Sequence, residues 1–152
     1  MLISLEDYLI RNRIWHRFLV KNETIHTAEA SKATGIDLHR ITKNLISKTD
    51  NGEYVVLVIP GDRRVNLKAA SIALGVKNVK LIPFNQSEQI SGYPPGGTPS
   101  LGFKMKMRVV LDYDLDKFST FYCGGGTRGL LLEVRLLDVK KFNDAISAPI
   151  TI

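Results

Sequence analysis

One segment of the chain is rich enough in glycine and proline to hold backbone amides in a fixed arrangement. Residues 92–102 read GYPPGGTPSLG and are called the glycine-proline loop below. Glycine permits positive φ and close approach of another backbone, whereas proline fixes φ near about −65° and removes an N–H donor. The N–H groups of Gly96, Gly97 and Thr98 could therefore point at a ligand. A purely structural connection between two elements is the alternative.

A lysine in an otherwise apolar run is the second candidate. Residues 41–48 (ITKNLISK) fit the period of a helix or of a strand, and we favour the strand. Alternate residues of a strand share a face, so Lys43 would lie on the same face as Ile41 and Leu45. An ammonium group there must snorkel to the sheet edge, pair with an acid, or line a wet cleft that binds an anion.

A lone cysteine stands beside three glycines. Cys123 directly precedes Gly124, Gly125 and Gly126. A thiol nucleophile would need a basic partner to lower its pKa, and a small buried cysteine next to a tight turn is the commoner case. The glycine run is not a P-loop, because no Lys-Ser/Thr pair follows it.

The three histidines do not form a metal site by their spacing. His16, His26 and His39 lack the ligand spacing with cysteine or with one another, so we expect no metal and no cofactor. His26 directly precedes Thr27, which we predict to cap a helix that ends at Thr34. Its imidazole could contact a ligand at that helix N-terminus, and a surface histidine is the alternative.

The elements that must position these residues alternate along the chain. We predict helices at 4–12, 27–34, 65–74 and 138–146, a helical turn at 87–90, and strands at 14–20, 41–48, 54–59, 79–82, 106–112 and 130–136. Strands joined by hairpin-length turns as well as by helices predict an α+β fold with a mixed, largely antiparallel sheet. No repeat or linker interrupts the pattern, so we expect one domain over residues 1–152.

Composition limits the possible partners and compartment. Lysine and arginine number 21 against 15 acidic residues, which gives a formal net charge of +6. Such an excess attracts polyanions and makes any nucleic-acid binding depend on salt, although a solvated surface is the alternative. No apolar run approaches the about 20 residues that span a bilayer, and no charged-then-apolar leader opens the chain. We therefore expect no membrane partner and a cytoplasmic location.

Six motifs, taken in order, resemble the YbaK/prolyl-tRNA synthetase editing-domain family. They are residues 26–31 (HTAEAS), 41–46 (ITKNLI), 58–62 (VIPGD), 65–68 (VNLK), 92–97 (GYPPGG) and 123–129 (CGGGTRG). The resemblance covers roughly residues 5–142 and rests on the order and spacing of all six. It implies a strongly bent mixed sheet flanked by helices, in agreement with the α+β prediction. It also implies a free-standing aminoacyl-tRNA deacylase that uses no metal.

The resemblance further implies roles for single residues. The critical lysine of the family corresponds to Lys43, which would hold the terminal nucleotide of the tRNA. Glycine amides would polarise the ester carbonyl, and the free ribose hydroxyl of the tRNA would activate the water. We therefore predict Lys43, Gly96 and Gly97 as catalytic residues. The predicted substrate contacts are His26, Thr27, Tyr93, Thr98, Gly124, Gly125 and Gly126.

Two features of the sequence depart from the family pattern. The family loop usually ends Gly-Gly-x-x-Pro-x-Gly, whereas here Pro99 lies one place early and Ser100 occupies the place of that proline. Members that clear cysteine from tRNA tend to carry a serine and an acid where this chain has Gly124 and Leu131. This argues against cysteine without establishing alanine, and the substrate we expect is a mischarged tRNA of the tRNA-Pro type.

Two other classes of function remain open on the sequence. One is a non-catalytic module that binds an aminoacyl-tRNA or a nucleotide, and the other is a hydrolase that uses Cys123. The expected partner is the 3′ acceptor end of an aminoacyl-tRNA, with an aminoacyl-tRNA synthetase as a further candidate. Phe18, Tyr93 and Phe103 are candidate platforms on which single-stranded bases could stack, although each could equally belong to the core.

Overall fold

The computed structural model describes residues 4–152, which form five helices and eight strands. The helices are α1 (Leu5–Arg11), α2 (Thr27–Thr34), α3 (Leu67–Leu74), α4 (Phe84–Ser91) and α5 (Leu136–Asn143). The strands are β1 (His16–Val20), β2 (Thr42–Thr49), β3 (Tyr54–Pro60), β4 (Val79–Leu81), β5 (Arg108–Asp112), β6 (Thr120–Gly124), β7 (Leu130–Arg135) and β8 (Ile146–Ala148). None of the helices within 4–152 has the length and apolar character needed to cross a membrane.

The strands form two sheets. One has the order β1-β7-β6 and is antiparallel, and the other has the order β4-β2-β3-β5-β8. In the larger sheet β2 runs antiparallel to both β3 and β4, whereas β3, β5 and β8 run parallel. A bridge between Ile41 and Tyr122 links the two sheets. The α+β class with a mixed sheet is thus confirmed, with the strands divided between two sheets that meet at this bridge.

Strand β3 is covered on both faces, as its continuous apolar sequence predicts. Val56 and Val58 face the main core, which they share with side chains of α1, β6, β7 and α5. Val55, Leu57 and Ile59 face a second cluster beneath α3. All five side chains are buried, and each such burial contributes about 1.5–3 kcal/mol. The strand therefore fixes β2, its neighbour, between two packed layers.

One edge of β2 is open along its N-terminal half. Strand β4 pairs with β2 only through Ser47, Lys48 and Thr49. Successive residues of a strand direct their N–H and C=O groups to opposite edges, and Ile46 O accepts from Ile82 N on the β4 side. Asn44 lies two residues before Ile46, so its backbone N–H and C=O groups face the same edge of β2. Strand β4 does not extend far enough to pair with them. This open edge is where the main cleft lies.

The element predictions fail at three places. Helix α2 is capped by His26 rather than Thr27, whose backbone already lies within the helix. Residues 120–124, which carry no predicted strand, form β6 because their pairing with β7 buries Phe121. The closing helix ends at Asn143, since Asp144 adopts φ of 50°, and Ile146 pairs with Val110 in β8 instead of extending the helix. The second and third differences depend on pairing with another strand, β7 for β6 and β5 for β8, whereas the cap of α2 is local.

Candidate active site

A cleft of about 630 Å³ lies at the open edge of β2. It is bounded by the start of α2, the N-terminal half of β2, the start of α4 and the glycine-proline loop. Ile25, Ile41 and Leu131 contribute apolar surface to it, while Thr42 and Asn44 contribute polar surface. The predicted site residues that line this cleft are His26, Thr27, Lys43, Gly96, Thr98 and Gly124. The structure thus brings together residues from four separate motifs.

Lys43 extends along the mouth of this cleft. Its Nζ donates to the carbonyl oxygen of Arg63 at 3.2 Å, and this contact is exposed to solvent. No carboxylate among residues 4–152 lies within ion-pair distance of Lys43. Pairing with an acid, one of the three explanations for an ammonium group at this position, is therefore excluded among residues 4–152. The positive charge is available to an anion that enters the cleft.

Two residues of the glycine-proline loop that line the cleft have free amides, and they are not the pair of catalytic glycines that the sequence predicts. The Gly97 N–H donates to Pro94 O at 2.9 Å, so the prediction that this amide is available to a ligand is wrong. Within residues 4–152, no acceptor takes a hydrogen bond from the N–H of Gly96 or of Thr98. Both residues line the cleft, whereas Gly97 does not. The available pair is therefore Gly96 and Thr98.

The direction of each free amide is fixed through the carbonyl of its own peptide group. Arg128 Nε donates to Pro95 O at 2.8 Å, and Gly126 N donates to Gly97 O at 2.9 Å. In a trans peptide group the C=O and the N–H point in opposite directions. The N–H groups of Gly96 and Thr98 therefore point away from Arg128 and Gly126. Their orientation requires no reorganisation when a ligand arrives.

The second glycine turn (residues 123–129) supports the loop instead of offering amides. Gly124 N donates to Thr98 O at 3.1 Å, Gly125 N to Leu130 O at 2.9 Å, and Gly126 N to Gly97 O. None of these three amides is therefore free to polarise an ester carbonyl, whereas contact of the three residues with substrate stays a prediction. A Cβ on Gly124 would lie 2.5 Å from Thr98 O, so only glycine allows the two backbones to approach this closely. The turn acts as a backbone support for the glycine-proline loop.

Besides Gly97, three predicted site residues lie outside the cleft. Tyr93, Gly125 and Gly126 line a separate groove beside α1, together with Phe18 and Phe103. Burial raises the pKa of Tyr93 to about 12, and its hydroxyl donates to the carbonyl of Gly102 within its own loop. The two sites share no lining residue, so these three residues belong to a surface separate from that of Lys43, and their contact with substrate stays a prediction.

His26 and Thr27 lie where the sequence places them, at the N-terminus of α2. The His26 N–H donates to Glu29 Oε1 at 3.1 Å, and its ring stacks on Phe84 with centroids 6.4 Å apart. Thr27 Oγ1 donates a long hydrogen bond of 3.5 Å to Gly61 O. Both residues line the cleft from the start of α2, a different element from the glycine-proline loop. Their side chains belong to the helix wall of the cleft.

Lys21 is a cleft residue that the sequence analysis does not single out from the other basic residues. Its Nζ donates to the carbonyl of Arg128 and, at 2.7 Å, to Thr24 Oγ1. Burial lowers the pKa of Lys21 below its usual value. The ammonium thereby ties the chain after β1 to Arg128, which in turn orients Pro95. Only the fold reveals this role, because the spacing of charges along the sequence does not distinguish Lys21 from other basic residues.

Cys123 does not lie in the cleft, and its thiol is not reactive at neutral pH. The side chain is 0% exposed. Burial raises the pKa of Cys123 to about 12, an effect that hydrogen bonding with Ser100 opposes only in part. The thiolate is the nucleophilic form, so a hydrolase mechanism through Cys123 has no support in the structure.

Replacing Cys123 with alanine is expected to leave hydrolytic turnover within about threefold of the unmodified protein. The thiol is protonated and shielded, so the substitution removes only packing around a small buried side chain. Iodoacetamide labelling of the folded protein at pH 7 should accordingly be at least about tenfold slower than in denaturant. Rapid labelling of the folded protein, or loss of turnover with stability retained, would restore the thiol mechanism.

No group of three or more histidine, cysteine, aspartate or glutamate side chains within the described part of the chain, residues 4–152, could hold a metal ion. The polar groups that line the cleft are instead lysine, histidine, threonine, serine and asparagine side chains with backbone amides. Such a set is suited to binding anions and to stabilising negative charge that develops on an oxygen.

The fold and the site define a class of protein, an α+β domain whose lysine-bearing cleft is bounded by a glycine-proline loop that a second glycine turn supports. The chain belongs to the aminoacyl-tRNA editing domain family, whose sequence model matches residues 22–142. The resemblance found in the sequence motifs is thereby confirmed.

Individual relatives agree with this assignment. The chain is 27% identical to the "Putative Cys-tRNA(Pro)/Cys-tRNA(Cys) deacylase EbsC" of Enterococcus faecalis, over 78% of this chain and 73% of that protein. It is 30% identical to a proline–tRNA ligase of Cupriavidus necator over 72% of this chain but only 20% of the ligase. The crystal structure of hypothetical protein APE2540 superposes with a TM-score of 0.89 at 29% identity, covering 97% of this chain and 99% of that one.

Proposed function

We propose that this protein is a trans-acting aminoacyl-tRNA deacylase, which hydrolyses the ester between a wrong amino acid and the 3′ end of a tRNA. The observation that carries the proposal is the position of Lys43 and the free amides of Gly96 and Thr98 in one cleft. A cation and two preoriented N–H donors match the two negative features of the reaction. These are the phosphate of the terminal nucleotide and the oxyanion of the tetrahedral intermediate.

In the proposed mechanism the two amides act on the ester carbonyl. The N–H groups of Gly96 and Thr98 donate to its oxygen, and these bonds strengthen as negative charge develops there. Lys43 holds the phosphate of the terminal nucleotide and so fixes the ester beside the amides. Removal of one oxyanion donor typically costs about 10²- to 10³-fold in rate. The amides are thus expected to supply much of the acceleration.

The water is activated by the substrate itself in this proposal. The cleft lining, within residues 4–152, contains no carboxylate and no thiol, and its titratable side chains are Lys21, His26 and Lys43. Both lysines carry hydrogen-bonded ammonium groups, which are donors rather than bases. The free hydroxyl of the terminal ribose lies next to the ester in any aminoacyl-tRNA and can orient and deprotonate the water. A tRNA that lacks this hydroxyl should therefore lose turnover, whereas His26→Ala should not abolish it.

The tRNA that we propose as substrate is a mischarged tRNA-Pro. Support comes from the named relatives, one a Cys-tRNA(Pro)/Cys-tRNA(Cys) deacylase by its printed name and the other a proline–tRNA ligase. Arg63 and Arg64 directly follow Gly61 and Asp62 at the cleft mouth, where Arg63 accepts the Lys43 hydrogen bond. These charges would contact acceptor-stem phosphates, so the affinity should fall as salt rises.

The test is a deacylation assay on a panel of mischarged tRNAs. The panel contains tRNA-Pro and one tRNA specific for another amino acid, each charged with several non-cognate amino acids. Turnover of at least one mischarged tRNA-Pro, with correctly charged Pro-tRNA-Pro spared, is the expected result. Tight binding across the panel without turnover would overturn the proposal in favour of a non-catalytic binding module. Turnover that is confined to the second tRNA would uphold the proposed deacylase activity and refute tRNA-Pro as its substrate.

A further inference from the structure

Three polar side chains beneath the cleft form a closed ring of hydrogen bonds. Ser100 Oγ donates to Asn44 Oδ1 at 2.6 Å, Asn44 Nδ2 donates to Thr42 Oγ1 at 3.1 Å, and Thr42 Oγ1 lies 3.0 Å from Ser100 Oγ. A hydroxyl group has one hydrogen, so Ser100, which donates to Asn44, can only accept from Thr42, and the Thr42 hydrogen is divided between Ser100 Oγ and Tyr122 O. When the Thr42 hydrogen points to Ser100, the three bonds run in one direction around the ring, and each bond polarises the next.

The ring is inaccessible to water at its serine and threonine. Ser100 is 0% exposed and Thr42 is 3% exposed. Buried hydroxyl and amide groups that lose a partner cannot replace it with solvent. Thr42 has a second acceptor, Tyr122 O at 3.3 Å, but Asn44 Oδ1 receives its hydrogen bond from Ser100. Ser100 thus holds the oxygen end of the Asn44 amide, while Thr42 and Thr98 accept from its nitrogen end.

The orientation of Asn44 matters because its Nδ2 also donates to Thr98 O at 3.1 Å. Gly124 N donates to the same carbonyl oxygen at 3.1 Å. The Thr98 carbonyl is therefore held on one side by β2 and on the other by the second glycine turn. If the Asn44 amide turned over, its oxygen would face the Thr98 oxygen, and the loop would be repelled from β2 rather than held to it.

The ring connects the two halves of the proposed catalytic machinery. Thr42 and Asn44 flank Lys43 on β2, whereas Ser100 and Thr98 belong to the glycine-proline loop. The backbone of Ser100 is anchored independently, because Asn143 Nδ2 of α5 donates to Ser100 O at 2.8 Å. Loss of the hydroxyl would leave this anchor in place and release the contact with β2, together with the side-chain hydrogen bond to the Cys123 thiol.

We propose that Ser100 is a positioning residue whose hydroxyl, through Asn44, sets the free amides of Gly96 and Thr98 against Lys43. It occupies the position at which the family pattern has proline, so a ring of side-chain hydrogen bonds takes the place of a rigid backbone. The inference rests on the proposed deacylase function for its effect on rate. Its structural part, the attachment of the loop to β2, does not depend on that function.

The kinetic test compares Ser100→Ala with Ser47→Ala. Both serines are 0% exposed, but Ser47 Oγ donates to Leu45 O within β2 and touches neither the loop nor the ring. Ser100→Ala is expected to lower kcat by about 10- to 100-fold with KM within about twofold, since displacement of the amides affects the transition state more than ground-state binding. Ser47→Ala should leave both constants within about twofold. Equal kcat in the two variants would overturn the proposal.

A double variant separates positioning from a general loss of packing. Thr42→Val keeps the shape of the side chain and opens the ring at a second point. Because either substitution opens the same ring, Ser100→Ala combined with Thr42→Val should be slower than Ser100→Ala alone by no more than about threefold. Multiplicative effects of the two substitutions would contradict a shared ring. Thr42→Ser, which keeps the hydroxyl, should retain kcat within about threefold.

Amide hydrogen exchange tests the attachment without any substrate. The amides of Gly124 and Gly126, which donate to Thr98 O and Gly97 O, should exchange at least about tenfold faster in Ser100→Ala than in Ser47→Ala. Unchanged protection would refute the positioning role even in an active enzyme. Faster exchange in a protein that deacylates no member of the panel would uphold the role of Ser100 and overturn only the proposed function.

Discussion

Replacement of Lys43 by alanine is expected to lower kcat/KM for deacylation by about 10²-fold. The Lys43 ammonium lies at the cleft mouth and is opposed by no carboxylate within ion-pair distance among residues 4–152. A hydrogen bond to a charged group contributes about 1.5–3 kcal/mol, or about 10- to 100-fold, and the loss of correct placement of the ester adds to this. The measurement is single-turnover deacylation of the best substrate in the panel over a range of protein concentrations.

Lys48→Ala is the matched control for this substitution. Lys48 belongs to the same strand and lies 5.3 Å from the ring centroid of Tyr54, outside the cleft lining. Its replacement removes the same charge from the protein but should leave kcat/KM within about twofold at fixed salt. If Lys48→Ala lowered the rate as much as Lys43→Ala, the effect of Lys43 would be one of net charge, and its specific role would be refuted.

Gly124→Ala is expected to disable the site by displacing the glycine-proline loop. The added Cβ would lie 2.4 Å from the Gly97 carbonyl carbon and 2.5 Å from Thr98 O, and both are backbone atoms that no rotamer change can move. Overpacking of this kind costs about 1–3 kcal/mol, which corresponds to a fall in Tm of about 3–10 °C in a chain of this size. Since the loop carries the free amides, the deacylation rate should fall by at least about 10²-fold.

Gly129→Ala, in the same turn, provides the comparison. A Cβ there would meet only Lys21 O at 3.7 Å, which is ordinary van der Waals contact. This variant should keep its Tm within about 2 °C and its rate within about twofold. Rates are to be measured at least about 15 °C below the lower of the two Tm values, so that unfolding does not enter. A fully active Gly124→Ala would show that the close backbone approach is not needed for the site.

Most of the fold could be predicted from local pattern. The β-branched apolar run at 54–59 predicts a strand that is covered on both faces, and β3 is one. Gly35 and Gly75 end α2 and α3 in the left-handed conformation, as glycines after amphipathic segments do. These features depend on residues close together in sequence. Strand β6 was not predictable in this way, because the burial that stabilises it comes from β7.

The sequence predicts which residues line the site better than it predicts which of their groups are free to bind a ligand. The motifs identify Lys43, Gly96 and Thr98, and all three line the cleft. The assignment of a free amide to Gly97 fails because the residue type of a glycine does not show whether its N–H is already bonded, here to Pro94 O. Tyr93 belongs to the same loop but does not line the cleft, because its side chain lies in the groove beside α1.

The sequence by itself determined the α+β class, the family, and the lysine and glycine turns on which the proposed chemistry depends. These follow from periodicity and from the order of motifs along the chain. Only the tertiary structure decided which amides are free and what holds them in place. Ser100 and Asn44 are 56 positions apart, and Arg128 and Pro95 are 33 positions apart. Hydrogen bonds over such separations depend on how the strands are assembled, so no local pattern in the sequence records them.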